Sequence, residues 1–235
     1  MTTTLITGAN KGLGFETARR LVAAGHTVYV GSRDPERGRQ AAEELGARAV
    51  VIDVTDDASV AAAAKVIEAD GGLDVLINNA GIEGRGEGNT VIGAADETAE
   101  TMRATFEANV FGVVRVTHAF LPQLRRSAAP VVVNVSSGLG SMALVTDPAA
   151  PAYGYPGIAY PASKTTVNMI TAQYAKAFPD IRINCVEPGF TATDLNGNTG
   201  TQTVEQGAEI IVRMARIGSD GPTGGYFDAS GPVPW

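Results

Sequence analysis

Tyr160 and Lys164 stand four residues apart in Ala159-Tyr160-Pro161-Ala162-Ser163-Lys164. Four residues is one helical turn, so the ammonium lies on the face that carries the phenol. A nearby cation favours phenolate over phenol. An unperturbed tyrosine, with a pKa of about 10, is a poor base near neutrality, and a fixed cation makes proton exchange with an alcohol or a carbonyl practicable. The same spacing recurs on solvated helices, so its weight comes from its company. The chain opens with Thr7-Gly8-Ala9-Asn10-Lys11-Gly12-Leu13-Gly14 directly after a short apolar run, and Phe15 to Ala24 then carries helical apolar spacing closed by Gly25. Strand, glycine turn and helix are the setting in which glycines cradle a dinucleotide pyrophosphate at a helix N-terminus. The spacing is G-x-x-x-G-x-G and not G-x-G-x-x-G, and such glycines also serve simply to tighten a βα turn.

The elements that must position these groups alternate along the whole chain. Candidate strands are 3–7, 27–30, 49–53, 75–78, 131–135, 181–186 and 225–228, and candidate helices are 12–24, 35–45, 56–69, about 96–126, 160–178 and 204–215. The strands are apolar on both faces, as in a parallel sheet covered by helices. Asp34-Pro35 is a helix start, with Asp at the cap and Pro at the first position. The expected fold is α/β, a Rossmann-type doubly wound parallel sheet of about seven strands flanked by helices, with residues 1–235 forming one dinucleotide-binding and catalytic domain.

Composition fits a packed core. The 235 residues are 44% hydrophobic and 18% charged, with a net charge of −7, which argues against a nucleic-acid partner needing a basic face. No stretch is long enough to span a membrane, and a soluble cytoplasmic protein is expected. Cys185 is the single cysteine and reads as core. His26 and His118 lie away from every motif, and no metal-ligand cluster is present.

In order, the markers are Thr7 to Gly14, Asp53-Val54, Asn78-Asn79-Ala80-Gly81, Asn109 within a long helical stretch, Asn134-Val135-Ser136-Ser137, Tyr160 with Lys164, and Pro188-Gly189-Phe190-Thr191-Ala192-Thr193. This series resembles the short-chain dehydrogenases/reductases nearly end to end. The branch it resembles most is the carbonyl reductases, on Asn10-Lys11-Gly12, Ser32-Arg33-Asp34, the widened Ser-to-Tyr interval and the tail from Val204 to Trp235.

The resemblance implies an NADP(H)-dependent oxidoreductase. Asn109, Ser137, Tyr160 and Lys164 would be its catalytic set: a carbonyl oxygen between Ser137 and Tyr160, a proton from Tyr160, Lys164 lowering the Tyr160 pKa and bonding the nicotinamide ribose, and Asn109 holding a water that links Lys164 to solvent. The alternative for Asn109 is a mid-helix amide bonding a neighbouring strand. Cofactor contacts would come from Gly8, Asn10, Lys11, Gly12, Leu13, Gly14, Ser32, Arg33, Asp53, Val54, Asn79, Ala80, Gly81, Tyr160, Lys164, Pro188, Gly189, the Thr191 backbone and the Thr193 hydroxyl. Asp53 either accepts from the adenine amino group or caps the following helix. A site for NAD places an acid on the ribose diol. Here that slot holds Ser32 followed by Arg33, with Lys11 expected to join them on a 2′-phosphate and Asp34 assigned to the helix cap, so NADPH/NADP+ is the expected cofactor.

Residues 138–159, between Ser137 and Tyr160, show no clear secondary structure and carry Leu139, Met142, Leu144, Tyr153, Tyr155 and Ile158. They suit an apolar wall over a small-molecule carbonyl or alcohol substrate, or a surface on the outer face of the Tyr160 helix. In carbonyl reductases a longer insertion here accompanies a monomer, while most of the family pairs through this region, so monomer and homodimer both stand. Segment 194–203 is short and rich in Gly and Asn, implying little lid. The favoured activity is reduction of a ketone, aldehyde or quinone; the rivals are a secondary-alcohol dehydrogenase working oxidatively and an NADP-sensing regulator without turnover. Glu187, an acid near the nicotinamide end, has no role in this reading.

Overall fold

The computed structural model describes residues 1–235. Its seven strands are β1 (Thr3–Ile6), β2 (Thr27–Ser32), β3 (Arg48–Val51), β4 (Val75–Asn78), β5 (Val131–Val135), β6 (Arg182–Val186) and β7 (Tyr226–Phe227). They form one sheet in the order β3-β2-β1-β4-β5-β6-β7. Every pairing is parallel. The order reverses between β1 and β4, the switch point where an open sheet of this kind holds its ligand.

The chain has eight helices, α1 (Gly12–Ala23), α2 (Pro35–Leu45), α3 (Asp57–Ala69), α4 (Ala99–Phe106), α5 (Gly112–Leu124), α6 (Met142–Thr146), α7 (Ala159–Ala177) and α8 (Val204–Ala215). Strand residues alternate between two apolar layers. Ile6, Val30, Ile77 and Val133 pack with Ala18, Leu21, Ala41 and Ile211 of α1, α2 and α8. Leu5, Tyr29, Leu76 and Val132 pack with Ile67, Phe120 and Ala175 of α3, α5 and α7. Burial on both faces is why the strands lack polar alternation. Cys185 is fully buried and its thiol is pushed up to about 12 by that burial, as its reading as core requires.

Two expectations change in detail. The stretch expected as one helix at about 96–126 is α4, a π-helical turn at Glu107–Phe111, then α5. A π turn inserts one residue into the helical ladder, and the apolar period on either side survives it, so the sequence pattern does not show it. Segment 138–159, expected to lack secondary structure, holds a 3-10 turn at Gly138–Gly140, α6, and a second 3-10 turn at Pro151–Gly154. These pieces are set by local caps such as Ser141, whose hydroxyl accepts from Leu144 N, and not by a long apolar stripe.

Candidate functional site

The carboxyl ends of β1, β4, β5 and β6 converge at the switch point. From β1 the chain turns through Gly8 at φ +64° and Gly12 at φ +58°, a left-handed region that favours glycine. Gly14 allows α1 to approach closely: a Cβ there would lie 2.6 Å from both Asn79 Nδ2 and the Gly8 carbonyl. From β4, the Asn79 side chain donates to the carbonyls of Thr7 (2.9 Å) and Gly8 (3.1 Å). The Thr7 hydroxyl accepts from the N–H groups of Asn79 and Ala80. Asn79, Ala80 and the glycine turn are thus built as one unit.

That turn ends in an N-terminus unlike its neighbours. Helices α2 and α3 are capped by the carboxylates of Asp34 and Asp56, whereas α1 is preceded by Lys11, with no side-chain cap and no acid in its first turn. Free N–H groups at the positive end of a helix favour an anion. Asp34 takes the capping role expected of it, accepting from Glu36 N and Arg37 N at 3.0 Å. Asp53 does not cap a helix: the cap of α3 is Asp56, while Asp53 accepts from Thr55 N (2.9 Å) and the Thr55 hydroxyl (2.7 Å). The Thr55 backbone bond, with Arg33 and Arg115 nearby, holds the Asp53 carboxyl below its ordinary value.

The other expected cofactor contacts are spread along this edge. Ser32 is only 3% exposed, its hydroxyl donating to the Asp34 carbonyl (2.8 Å), while Arg33 is exposed. Lys11 does not turn to Ser32 in this structure; its ammonium reaches Asp194 at 2.7 Å. The Val54 carbonyl accepts from Arg115 (2.6 Å). On the facing side Thr193 approaches the glycine turn, its Cγ2 3.6 Å from where a Gly12 Cβ would stand. Thr191 is buried, and its hydroxyl donates to the Gly189 carbonyl (3.2 Å).

Asn109, Ser137, Tyr160 and Lys164 come together. Ser137 and Tyr160 are partly exposed, while Lys164 (5% exposed) and Asn109 (1%) lie buried behind them. Lys164 Nζ donates to the Val135 carbonyl at 2.8 Å. A Cβ on Gly81 would lie 3.2 Å from Asn109 Oδ1 and 3.7 Å from Lys164 Nζ, which places the three side by side. The π turn aims Asn109 at the end of β4, where Oδ1 accepts from Ile82 N and Nδ2 donates to the Ile82 carbonyl, both at 2.8 Å. Nδ2 also donates to the Ser163 hydroxyl (3.0 Å), tying α7 to the same point.

Over residues 2–204 the sequence matches the family model described as short chain dehydrogenase. The chain belongs to the short-chain dehydrogenase/reductase family. It is 39% identical to a short-chain dehydrogenase of Penicillium roqueforti, over 92% of this chain and 88% of that one. The structure of salutaridine reductase from Papaver somniferum superposes with a TM-score of 0.85 at 29% identity, covering 97% of this chain and 99% of that one. NADPH-bound carbonyl reductase from chicken fatty liver gives 0.85 at 26% identity, with 100% and 99% covered. The chain is therefore an oxidoreductase of this family's carbonyl-reductase-like branch, and the family works with nicotinamide cofactors.

For a short-chain dehydrogenase the electrostatics around Tyr160 are informative. Burial raises its phenol well above the ordinary value, the carboxylates of Glu83 and Glu187 push the same way, and the Ser137 hydroxyl pulls it down. Burial draws the Lys164 ammonium down to about 8. The Lys164 ammonium stands 5.5 Å from the Tyr160 ring centroid, and burial is the largest influence on both groups.

Sequence reasoning missed Glu83, Arg85 and the second face of Tyr155. The Tyr155 hydroxyl donates to Glu83 Oε1 at 2.5 Å, and Arg85 pairs with Glu83 Oε2 at 2.7 Å. The Glu83 and Arg85 side chains are 6% and 16% exposed. Glu83 lies two residues beyond Gly81 at the carboxyl end of β4, and that position was the available signal. Glu187 also gains a place, with Oε1 2.9 Å from where a Gly138 Cβ would stand, beside the Ser137 turn.

Proposed function

We propose that this chain is an NADPH-dependent reductase of small-molecule ketones, aldehydes or quinones, acting through Asn109, Ser137, Tyr160 and Lys164. The observation that carries the reading is the layering of the site: Ser137 and Tyr160, partly exposed residues whose hydroxyls interact, lie over a buried Lys164–Asn109 pair. A reduced nicotinamide bound in the cleft would supply the hydride. The uncapped N-terminus of α1 and the glycines of its turn fit the pyrophosphate. Ser137 and Tyr160 would hold the carbonyl oxygen, and Tyr160, as a phenol, would donate its proton as charge develops there. Lys164 would hold positive charge behind that oxygen, with Asn109 fixing its surroundings and relaying protons through water. An intact Tyr160–Lys164 pair disfavours a sensor without turnover.

The end of β2 supports NADPH over NADH. There is no free acid at Ser32, Arg33 is exposed, and Asp34 is committed to α2. Arg33 would pair bidentately with a 2′-phosphate, and Lys11 would reach it by leaving Asp194. The test is a panel of ketones, aldehydes and quinones with each cofactor, read as cofactor oxidation. Turnover with NADPH well above NADH is the expected result. Turnover only of alcohols with NADP+ would reverse the direction, and tight cofactor binding with no turnover of either class would make the protein a sensor.

A further inference from the structure

The turn that carries Ser137 is a single three-residue piece of 3-10 helix at Gly138–Gly140, capped by the Ser137 hydroxyl itself, which accepts from Leu139 N at 3.2 Å. So short a turn has little stability of its own, and its position relative to α7 must be set by other groups. Asn168 sits eight residues past Tyr160 and four past Lys164, on the same buried face of α7, and is 3% exposed. Its Oδ1 accepts from the Ser136 hydroxyl at 2.5 Å and its Nδ2 donates to the Gly140 carbonyl at 3.1 Å. One amide therefore grips the chain on both sides of Ser137. The turn lies hard against the helix, since a Cβ on Gly140 would come within 2.8 Å of the Lys164 carbonyl carbon. From the sheet side, the Tyr226 hydroxyl donates to the Ser137 carbonyl at 2.6 Å.

We propose that Asn168 is a positioning residue that fixes the Ser137 hydroxyl against the Tyr160 phenol by clamping Ser136 and Gly140 to α7. The inference rests on the reading that Ser137 and Tyr160 together hold the carbonyl oxygen. An apolar side chain at 168 leaves the Gly140 carbonyl buried and unpaired and leaves the Ser136 hydroxyl only its long 3.4 Å contact to the Lys164 carbonyl, and the turn relaxes away from the helix. A displacement of about 1 Å in such a site costs on the order of 100-fold in rate.

The test is a double-mutant cycle on carbonyl reduction, with kcat, KM and NADPH affinity read separately. Asn168→Leu is expected to lower kcat by roughly 10- to 100-fold while NADPH affinity stays unchanged. Ser136→Ala, which breaks the clamp from its other end, should lower kcat in the same sense, and Ser136→Thr, which keeps the hydroxyl, should restore it. In a Ser137→Ala background Asn168→Leu should cost less than about twofold, because residues that act as a unit are not additive. A full additional loss in that background, or unchanged kcat in both Asn168→Leu and Ser136→Ala, overturns the positioning role and leaves the reductase reading standing. Unchanged kcat in Ser137→Ala alone overturns that reading and this inference with it. If Asn168→Leu does not fold, the Ser136→Ala and Ser136→Thr pair, measured with and without Ser137→Ala, decides the question.

Discussion

On the proposed cofactor side of Tyr160 the groups assigned to the site hang on regular elements: Lys164 on α7 bonded to β5, Asn109 on a π turn bonded to the end of β4, and the glycine turn bonded to Asn79. Around segment 138–159, proposed to form the substrate side, the chain is held by side chains and isolated contacts. Tyr155 is tied to Glu83, Ala94 N donates to the Pro156 carbonyl (3.0 Å), and Ala159 N donates to Glu97 Oε2 (3.2 Å). The first construction suits groups whose positions the chemistry cannot relax. The second suits a wall that varies with the substrate while the chemistry stays fixed. Damage to the two sides should therefore read out in different kinetic constants.

The largest effect belongs to the cofactor side. Tyr160→Phe is expected to lower kcat by about 100- to 10,000-fold, the usual worth of general acid catalysis, with NADPH affinity near wild type. Large residual turnover would move the proton to another group and erase the contrast between the two sides. The pH dependence sharpens it. Lys164 is held down to about 8 by burial, so its ammonium prevails below that pH and is lost above it. In the wild type, kcat/KM for reduction should hold near pH 7 and fall as the pH rises through about 8, and Lys164→Met should remove that limb along with most of the activity.

Next comes the ribose end of the same side. A hydrogen bond to a charged group is worth about 1.5–3 kcal/mol, tens- to hundred-fold in affinity. Arg33→Ala should therefore weaken NADPH by that factor and NADH little, and Ser32→Asp should invert the preference by restoring an acid at the diol. Isothermal titration of both cofactors against wild type and variants is the check. Equal wild-type affinity for NADH and NADPH would sink the assignment.

These differences in construction also decide what the sequence reveals. The strands and the helices beside them are legible because each buries a repeating apolar pattern, and the glycine turn and the Tyr160–Lys164 pair are legible because their spacing is local. The π turn at Asn109 is not: one inserted residue leaves the periodicity on both sides intact. Nor is the Tyr155–Glu83 pair, whose members lie 72 residues apart and carry no pattern that links them. Asp53 was ambiguous for another reason. Asp53 and Asp56 both precede α3, and only the backbone path shows which one meets the first-turn N–H groups. The Tyr160 pKa is likewise set by burial and by Glu83 and Glu187, whereas the spacing showed only Lys164.

The smallest effect is expected on the substrate side, and it is the sharpest test of the comparison. Tyr155→Phe removes the hydroxyl that pins segment 138–159 to Glu83 but leaves the Glu83–Arg85 pair intact. That bond to a carboxylate contributes about 1.5–3 kcal/mol to anchoring the segment, only part of which reaches the substrate, so the loss should be a few-fold and fall on KM, because the proposed substrate wall loosens while Ser137, Tyr160 and Lys164 keep their own supports. NADPH affinity should not move. Glu83→Gln should go further, since Arg85 Nε is already buried without a partner and the change leaves that guanidinium without its carboxylate. It should also lower the Tyr160 pKa, because a negative charge that favoured the phenol is gone. The sign of that shift is checked by titrating Tyr160 through its absorbance change in wild type and Glu83→Gln. A Tyr155→Phe variant that lost kcat as heavily as Tyr160→Phe, at unchanged KM, would place Tyr155 among the reacting groups and remove the distinction between the two sides.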